Sequence, residues 1–237
     1  MRDLRSPPNR VKSSDNQIFN QILLTRRNKT MNNRTLLLFG IAIPVLFTTA
    51  ILGLAALVPG YSHIAQTVSE IGKHGSPAEL QWKIADLTVA LFFVLFYLGL
   101  YRFSRSNSLS VMPAYLVGFF GLMSVGISVF ESPHPLHNVF GLLMTVGYMS
   151  PLALAWSWRG RDWAKSLVRF SFVTWVLVMV AIFLNLSPLF TRDLFPLEYY
   201  GLVQRSLFLA FYGIWCPVVG LILYRASTHL VAASNPT

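Results

Sequence analysis

The chain has 237 residues, 54% of them hydrophobic and only 12% charged, with a formal net charge of +10. A water-soluble domain carries roughly a quarter charged residues, so this composition and a mean hydropathy of +0.54 exclude an ordinary soluble globule and point to lipid as the solvent. The single cysteine, Cys216, excludes a disulfide framework and any cysteine-rich zinc or iron–sulfur site.

Residues 1–34 form a basic, aromatic-poor segment that is expected to be a disordered tail. Its first thirty residues hold no apolar stretch suited to a secretory signal. The run "MNNRTLLLFG" from Met31 has the form of a natural start: a methionine, one arginine, then an apolar span. On this reading residues 1–30 are either a dispensable tail or an upstream extension of the reading frame, and the first span is an uncleaved signal anchor.

Six apolar segments then follow, at 35–58, 84–101, 111–130, 138–158, 167–190 and 202–224. Each is long enough for a helix of about 20 residues crossing a bilayer core. Continuous apolarity selects helices, because a membrane barrel strand alternates polar and apolar residues. The expected fold is therefore all-α: a six-helix polytopic membrane domain over 35–225, with a short tail at 226–237.

Orientation follows from lysine and arginine. With both termini cytoplasmic, only Lys73, Lys83, Arg192 and Arg205 of the 19 basic residues lie outside. The positive charge is then a topology signal with some attraction to anionic lipid, and nucleic acid is not needed as a partner. Tyr61, Trp82, Tyr199 and Tyr200 fall at the outer interface and Tyr101, Trp156, Trp158 and Trp163 at the inner one. Pro44, Pro151, Pro188 and Pro217 predict kinks within spans. Gly121, Ser124 and Ser128 give the third span a small-residue stripe suited to close helix contact. No internal repeat is evident, which weighs against an inverted-repeat transporter.

Under this topology the outer side collects His63, His74, His134 and His137 together with Glu70, Glu79, Asp86, Glu131, Asp193 and Glu198. In the first outer loop, His63, Thr67 and Glu70 have a spacing that places them on one face of a short helix, ended by Gly72. Ser76-Pro77-Ala78-Glu79 is a capping-box sequence, so Glu79 is expected to cap the second span. In "FESPHPLHNVFG", from Phe130 to Gly141, the prolines predict a turn followed at once by a helix whose first turn carries His137. The bland alternative is an interfacial turn whose histidines bond only to loop carbonyls and water. Asp86 and Arg205, near the outer ends of the second and sixth spans, are expected either to pair or to snorkel.

"YSHIAQTVSEIG", "SP" before the second span, "FESPHPLHNVFG" and "YYGLVQRSLFLAFYGIW" together resemble a bacterial and archaeal six-span family, domain of unknown function 998. The resemblance covers nearly everything from Leu36 to Tyr224. It implies a multi-pass protein of a prokaryotic plasma membrane. The family's Ser-Glu-hydrophobic-Gly element falls on Ser69, Glu70 and Gly72, its fourth-span histidine on His137 and its last-hairpin arginine on Arg205. Where the family carries Phe-Pro and then an aspartate, this chain has Phe130-Glu131-Ser132-Pro133-His134. Either Glu131 or His134 replaces the acid, or the acid is dispensable. A looser similarity links the chain to membrane hydrolases of the alkaline ceramidase and adiponectin-receptor type, through residue types and their one-sidedness alone.

Three functions are compatible with these residues. The first is a zinc-dependent hydrolase acting on membrane lipid. His63, His134 and His137 would bind zinc, Glu70 or Glu131 would be the general base, and Arg205, Ser69 and Asp86 would contact substrate. The second is a small-solute or ion binding or transport protein, favoured by Asn185 and the in-span prolines. The third is a non-catalytic membrane scaffold or stress-responsive protein.

Overall fold

Continuous apolar runs leave the backbone no partner but itself in lipid, and the chain responds with helices throughout. A computed structural model describes residues 34–191 and 194–233. The basic tail, the start at Met31, Arg192 and Asp193 lie outside the described residues. Among the described residues all regular structure is helical, and six helices are long and apolar enough to cross a membrane. They are Arg34–Ala55, Glu79–Ser106, Met112–Val129, Pro135–Ser157, Asp162–Leu189 and Leu197–Ser227, the first to sixth spans. This is a multi-pass membrane protein.

The second span extends about a turn beyond the apolar run at each end, since Gln81, Lys83, Arg102 and Arg105 continue the helix. Hydropathy sees only the lipid-immersed part of a helix; backbone hydrogen bonding carries it further. Proline accompanies several irregular points, although Pro44 lies inside the unbroken helix Phe39–Ala55. Pro151 opens a fresh helical segment, Ser150–Ser157, after Pro135–Gly147 ends. Pro217 has no N–H for the Gly213 carbonyl, and the chain widens into a π-helical stretch, Leu209–Trp215, just before it.

The second span packs against the first and third, the third against the fourth, and the sixth against the first and fifth. Phe93, Phe120, Tyr148 and Phe211 meet at the centre from four different spans. Their ring centroids lie 4.7 Å apart for Phe93–Phe120, 5.1 Å for Phe120–Phe211 and 5.0 Å for Tyr148–Phe211. Lipid removes the hydrophobic drive between helices, so such packing and close backbone approach must hold the bundle. The first and sixth spans cross so tightly that a Cβ on Gly40 would lie 2.5 Å from the Cys216 carbonyl oxygen. The stripe of Gly121, Ser124 and Ser128 is buried, with Gly121 facing Phe93 of the second span. Outward, Val45, Leu52, Leu122, Leu142, Val173 and Val180 are exposed, as a lipid-facing belt requires.

The loops gather at two ends. At one, Trp158 Nε1 donates to the Ser110 carbonyl and Arg161 to the Ser108 carbonyl. At the other, the 56–78 segment lies across the start of the sixth span and touches the turn between the third and fourth. That segment is the strap on which the candidate site is built.

Candidate functional site

Local chemistry stiffens the strap before it meets anything else. Only a single 3-10 turn, Val68–Glu70, forms where an amphipathic helix is expected. The reason is capping: the Thr67 N–H and hydroxyl donate to Glu70 Oε1 at 2.9 and 3.0 Å, and Gln66 Nε2 donates to Oε2 at 3.1 Å. Burial raises the Glu70 pKa, but these bonds and the Lys73 charge outweigh it and hold the carboxyl below its ordinary value. Glu70 is thus committed to shaping the turn. The 76–79 sequence caps differently from its pattern: Glu79 accepts the Gly75 N–H, while Ser76 donates its hydroxyl to the Ile71 carbonyl at 2.6 Å. Val68 and Ile71 are buried, and Gly72 lies flat under the Trp82 ring, where a Cβ would collide with it.

The strap then docks on the sixth span. Leu202 N–H donates to the Ile64 carbonyl at 3.1 Å and Val68 N–H donates to Gln204 Oε1 at 2.6 Å. Gly201 permits the approach, since a Cβ there would meet the Gln66 and Ile64 carbonyl oxygens. Arg205 is the bolt. Its Nη1 donates to the carbonyls of Gln66 and Gly201 at 2.8 and 2.9 Å, and its Nη2 donates to Tyr61 Oη at 2.6 Å. His63 Nδ1 lies 3.4 Å from the same Nη2, and its ring meets Tyr61 edge-on. Tyr61 in turn donates to the Thr67 carbonyl at 2.8 Å. Arg205 and Asp86 are not a pair here: Asp86 accepts a 2.7 Å bond from the Ser128 hydroxyl of the third span.

His63 therefore faces a cation. Desolvation, then the Arg205 charge, lowers its pKa below the ordinary 6.5. The native strap favours neutral imidazole, so the unfolded chain binds this proton more tightly. Stability from His63 is complete above about pH 6.5 and is lost as pH falls through the depressed native value. We expect thermal stability to fall on acidification from pH 8 towards pH 5, and His63→Gln to flatten that dependence. Loss from Glu70 belongs to a lower window, below its ordinary 4.5.

The turn between the third and fourth spans supplies the opposing wall. His134 caps the fourth span by accepting the Leu136 N–H at 3.1 Å, and its ring lies 5.0 Å from that of Phe130. His137 falls in the first helical turn and points back into the loop end. Its Nδ1 lies 2.9 Å from the Phe130 carbonyl oxygen and its Nε2 lies 3.1 Å from Ser69 Oγ. A carbonyl only accepts, so Nδ1 carries a proton; in the neutral imidazole Nε2 is then the acceptor and Ser69 the donor. A serine and a histidine 68 residues apart in sequence meet as a hydroxyl and a base.

His63, His134 and His137 thus engage three separate sets of partners. Among the described residues the group of three whose ligand atoms come within 4.8 Å of one another is His74, Glu79 and Glu131. Glu131 has Lys83 against it as an ion pair.

The family model described as "Protein of unknown function (DUF998)" matches residues 41–222, most of the chain and the whole strap. The chain belongs to this family. No curated protein and no solved structure gives a significant match. In this DUF998 protein the Ser-Glu-hydrophobic-Gly element acquires a physical meaning. Ser69 reaches His137, Glu70 caps the turn that aims Ser69, and Gly72 lets the turn settle on Trp82. Sequence reasoning placed Ser69 and His137 in different roles, took Tyr61 only as an interfacial aromatic, and gave Phe130 and Gln204 no part in a site. A backbone carbonyl carries no residue-type signal, and the pairing needs the folded loops.

Proposed function

We propose that this protein is a membrane-embedded hydrolase that cleaves an ester bond of a lipid, with Ser69 as nucleophile and His137 as general base. The observation that supports it is the Ser69–His137–Phe130 chain of hydrogen bonds, at 3.1 and 2.9 Å. Serine is a weak nucleophile until a base within hydrogen-bond reach takes its proton, and that base works best when a third group fixes its tautomer. All three parts are present. Ser69 and His137 are partly exposed, so a substrate can approach them.

The chemistry closes on these residues. Ser69 Oγ attacks the acyl carbonyl while its proton passes to His137 Nε2. The ester C–O bond breaks, and His137 returns the proton to the departing alkoxide. Water then attacks the acyl-serine, His137 takes its proton, and the acid leaves as Ser69 regains the hydrogen. The imidazolium formed along the way keeps its Nδ1–H on the Phe130 carbonyl. The roles first sought in Glu70 and Glu131 pass to His137, because Glu70 is spent on capping and Glu131 faces Lys83.

Lipid is the substrate class because the site lies at the loop end of a bundle whose outer surface is apolar. The excess of lysine and arginine at the opposite end supports placing the site on the non-cytoplasmic side of a plasma membrane. The direct test is labelling of the full chain in detergent with a fluorophosphonate probe, which reacts with activated serines. Labelling that disappears in Ser69→Ala and in His137→Ala supports the proposal. Absence of labelling reduces the pair to a clip between loops.

A further inference from the structure

We propose that the end of the bundle opposite the strap is a docking surface for the phosphate groups of anionic phospholipid, held by Arg105, Arg159 and Arg161. Cations crowd the joint made there by the turns that follow the second and fourth spans. Arg102 and Arg105 lie in the last two turns of the second span, and Arg159, Arg161, Lys165 and Arg169 lie in and after the turn between the fourth and fifth; all are exposed. Among the described residues the one carboxylate at this end is Asp162, and Lys165 takes it at 2.8 Å. Arg105, Arg159 and Arg161 have no carboxylate against them among the described residues.

The fold brings these charges together and fixes them. The Phe103 ring lies 6.3 Å from Trp158 and 6.1 Å from Trp163, pinning the end of the second span to the turn after the fourth. Arg161 Nη2 donates to the Ser108 carbonyl at 2.9 Å. Ser108 sits on the turn that Arg105 begins, since its N–H donates to the Arg105 carbonyl at 3.4 Å. It holds a left-handed backbone, φ 52°, that a residue other than glycine rarely takes. One short turn thus carries Arg105 and receives the Arg161 guanidinium. Like charges so placed repel, and an anion beside them turns that cost into attraction.

The donors are open and of the right kind. The Arg159 guanidinium lies over the Trp156 ring, 4.2 Å from its centroid, and among the described residues it donates no hydrogen bond. A guanidinium stacked by its face presents its N–H groups at the edge, a fork that matches two oxygens of one phosphate. Arg105 likewise has no side-chain acceptor among the described residues. Trp156 and Trp163 are 66% and 51% exposed, and beyond them Met112, Tyr115 and Phe172 are exposed on the third and fifth spans. An acidic protein segment would satisfy the arginines alone. A bilayer supplies the phosphates together with the interface that indole rings favour, and its acyl chains already cover the flank below.

Bound phosphate would neutralise the joint and so stabilise the contact between the two turns. The surface lies at the far end from Ser69 and stands whether or not Ser69 reacts.

The test places the full chain in nanodiscs of ether-linked phosphatidylcholine, or of equal parts phosphatidylcholine and phosphatidylglycerol, the ether links leaving no ester to cleave. After extraction into detergent, mass spectrometry counts the lipid each chain retains, and thermal unfolding is followed in both bilayers. We expect phosphatidylglycerol to be retained in preference to phosphatidylcholine and to raise the unfolding midpoint. Arg159→Gln should lower that preference by about fivefold, and Arg105→Gln, Arg159→Gln and Arg161→Gln combined by at least about tenfold. Arg159 makes no hydrogen bond in the fold, so its variant tests the charge without disturbing the joint. Arg225→Gln, which removes an exposed cation from the end of the sixth span, should leave the preference nearly unchanged. Equal retention of the two lipids overturns the proposal and leaves the surface to an acidic protein. A loss in Arg225→Gln as large as in Arg159→Gln overturns the assignment to this joint. An equal rise in midpoint when inorganic phosphate is added in phosphatidylcholine overturns lipid as the source.

Discussion

Ser69→Ala is expected to lower lipid-ester hydrolysis by about a thousandfold or more while changing unfolding free energy by no more than about 1–2 kcal/mol. The asymmetry follows from what the hydroxyl does. As a structural group it contributes one hydrogen bond, to His137 Nε2 at 3.1 Å. As a nucleophile it supplies the oxygen on which the whole reaction runs. His137→Ala should be equally damaging, and the double variant no worse than either single one, because residues acting as one unit do not contribute additively. His137→Gln is the discriminating control. Its amide can still accept a hydrogen bond from Ser69, so a role confined to linking the loops would survive it, whereas proton transfer would not. Turnover of a fluorogenic fatty-acyl ester and thermal unfolding, measured on the same preparations, decide the matter. Equal losses of stability and turnover across the single variants would count against Ser69 as nucleophile.

The largest effect on stability is expected at Arg205. Its guanidinium joins Tyr61, Gln66 and Gly201 in three short bonds and sits beside His63, so one side chain ties both the beginning and the middle of the strap to the sixth span. Hydrogen bonds from a charged donor contribute about 1.5–3 kcal/mol each, and truncation also strands the Gln66 carbonyl in a close-packed joint. Arg205→Met should therefore cost at least about 3 kcal/mol in thermal unfolding and expose the strap to proteolysis. Arg205→Lys should recover little, because one ammonium lacks the flat fork that reaches two carbonyls and a phenol oxygen together. An arginine held this way is a positioning residue: its loss should remove activity by releasing Ser69 from His137. Activity that falls while strap protection stays intact would instead point to direct contact between Arg205 and substrate.

Some of this was open to inspection before folding. Six spans follow from apolar run length alone, since the cost of bare backbone in lipid leaves helices as the solution. The third-span stripe and the proline breaks follow from side-chain size and a missing N–H. Within the loops the same logic weakens. The spacing of His63, Thr67 and Glu70 fits a helix, yet Glu70 turns back to cap at Thr67 and His63 turns to Arg205. Asp86 finds Ser128 on the adjacent third span in place of a distant arginine. Short polar loops are ruled by which partner lies within about 3 Å, and periodicity does not carry that information.

What composition and run length determined, then, was the solvent, the number of crossings and the residue types gathered at the loop ends. Each depends on transfer energies that add up along the chain. Only the tertiary structure decided that Ser69 would face His137, that a Phe130 carbonyl would set the imidazole tautomer, and that Arg161 would reach the Ser108 carbonyl. Hydrogen bonds depend on distance and direction between groups far apart in sequence. Those quantities exist only once the spans have packed and brought their loops together.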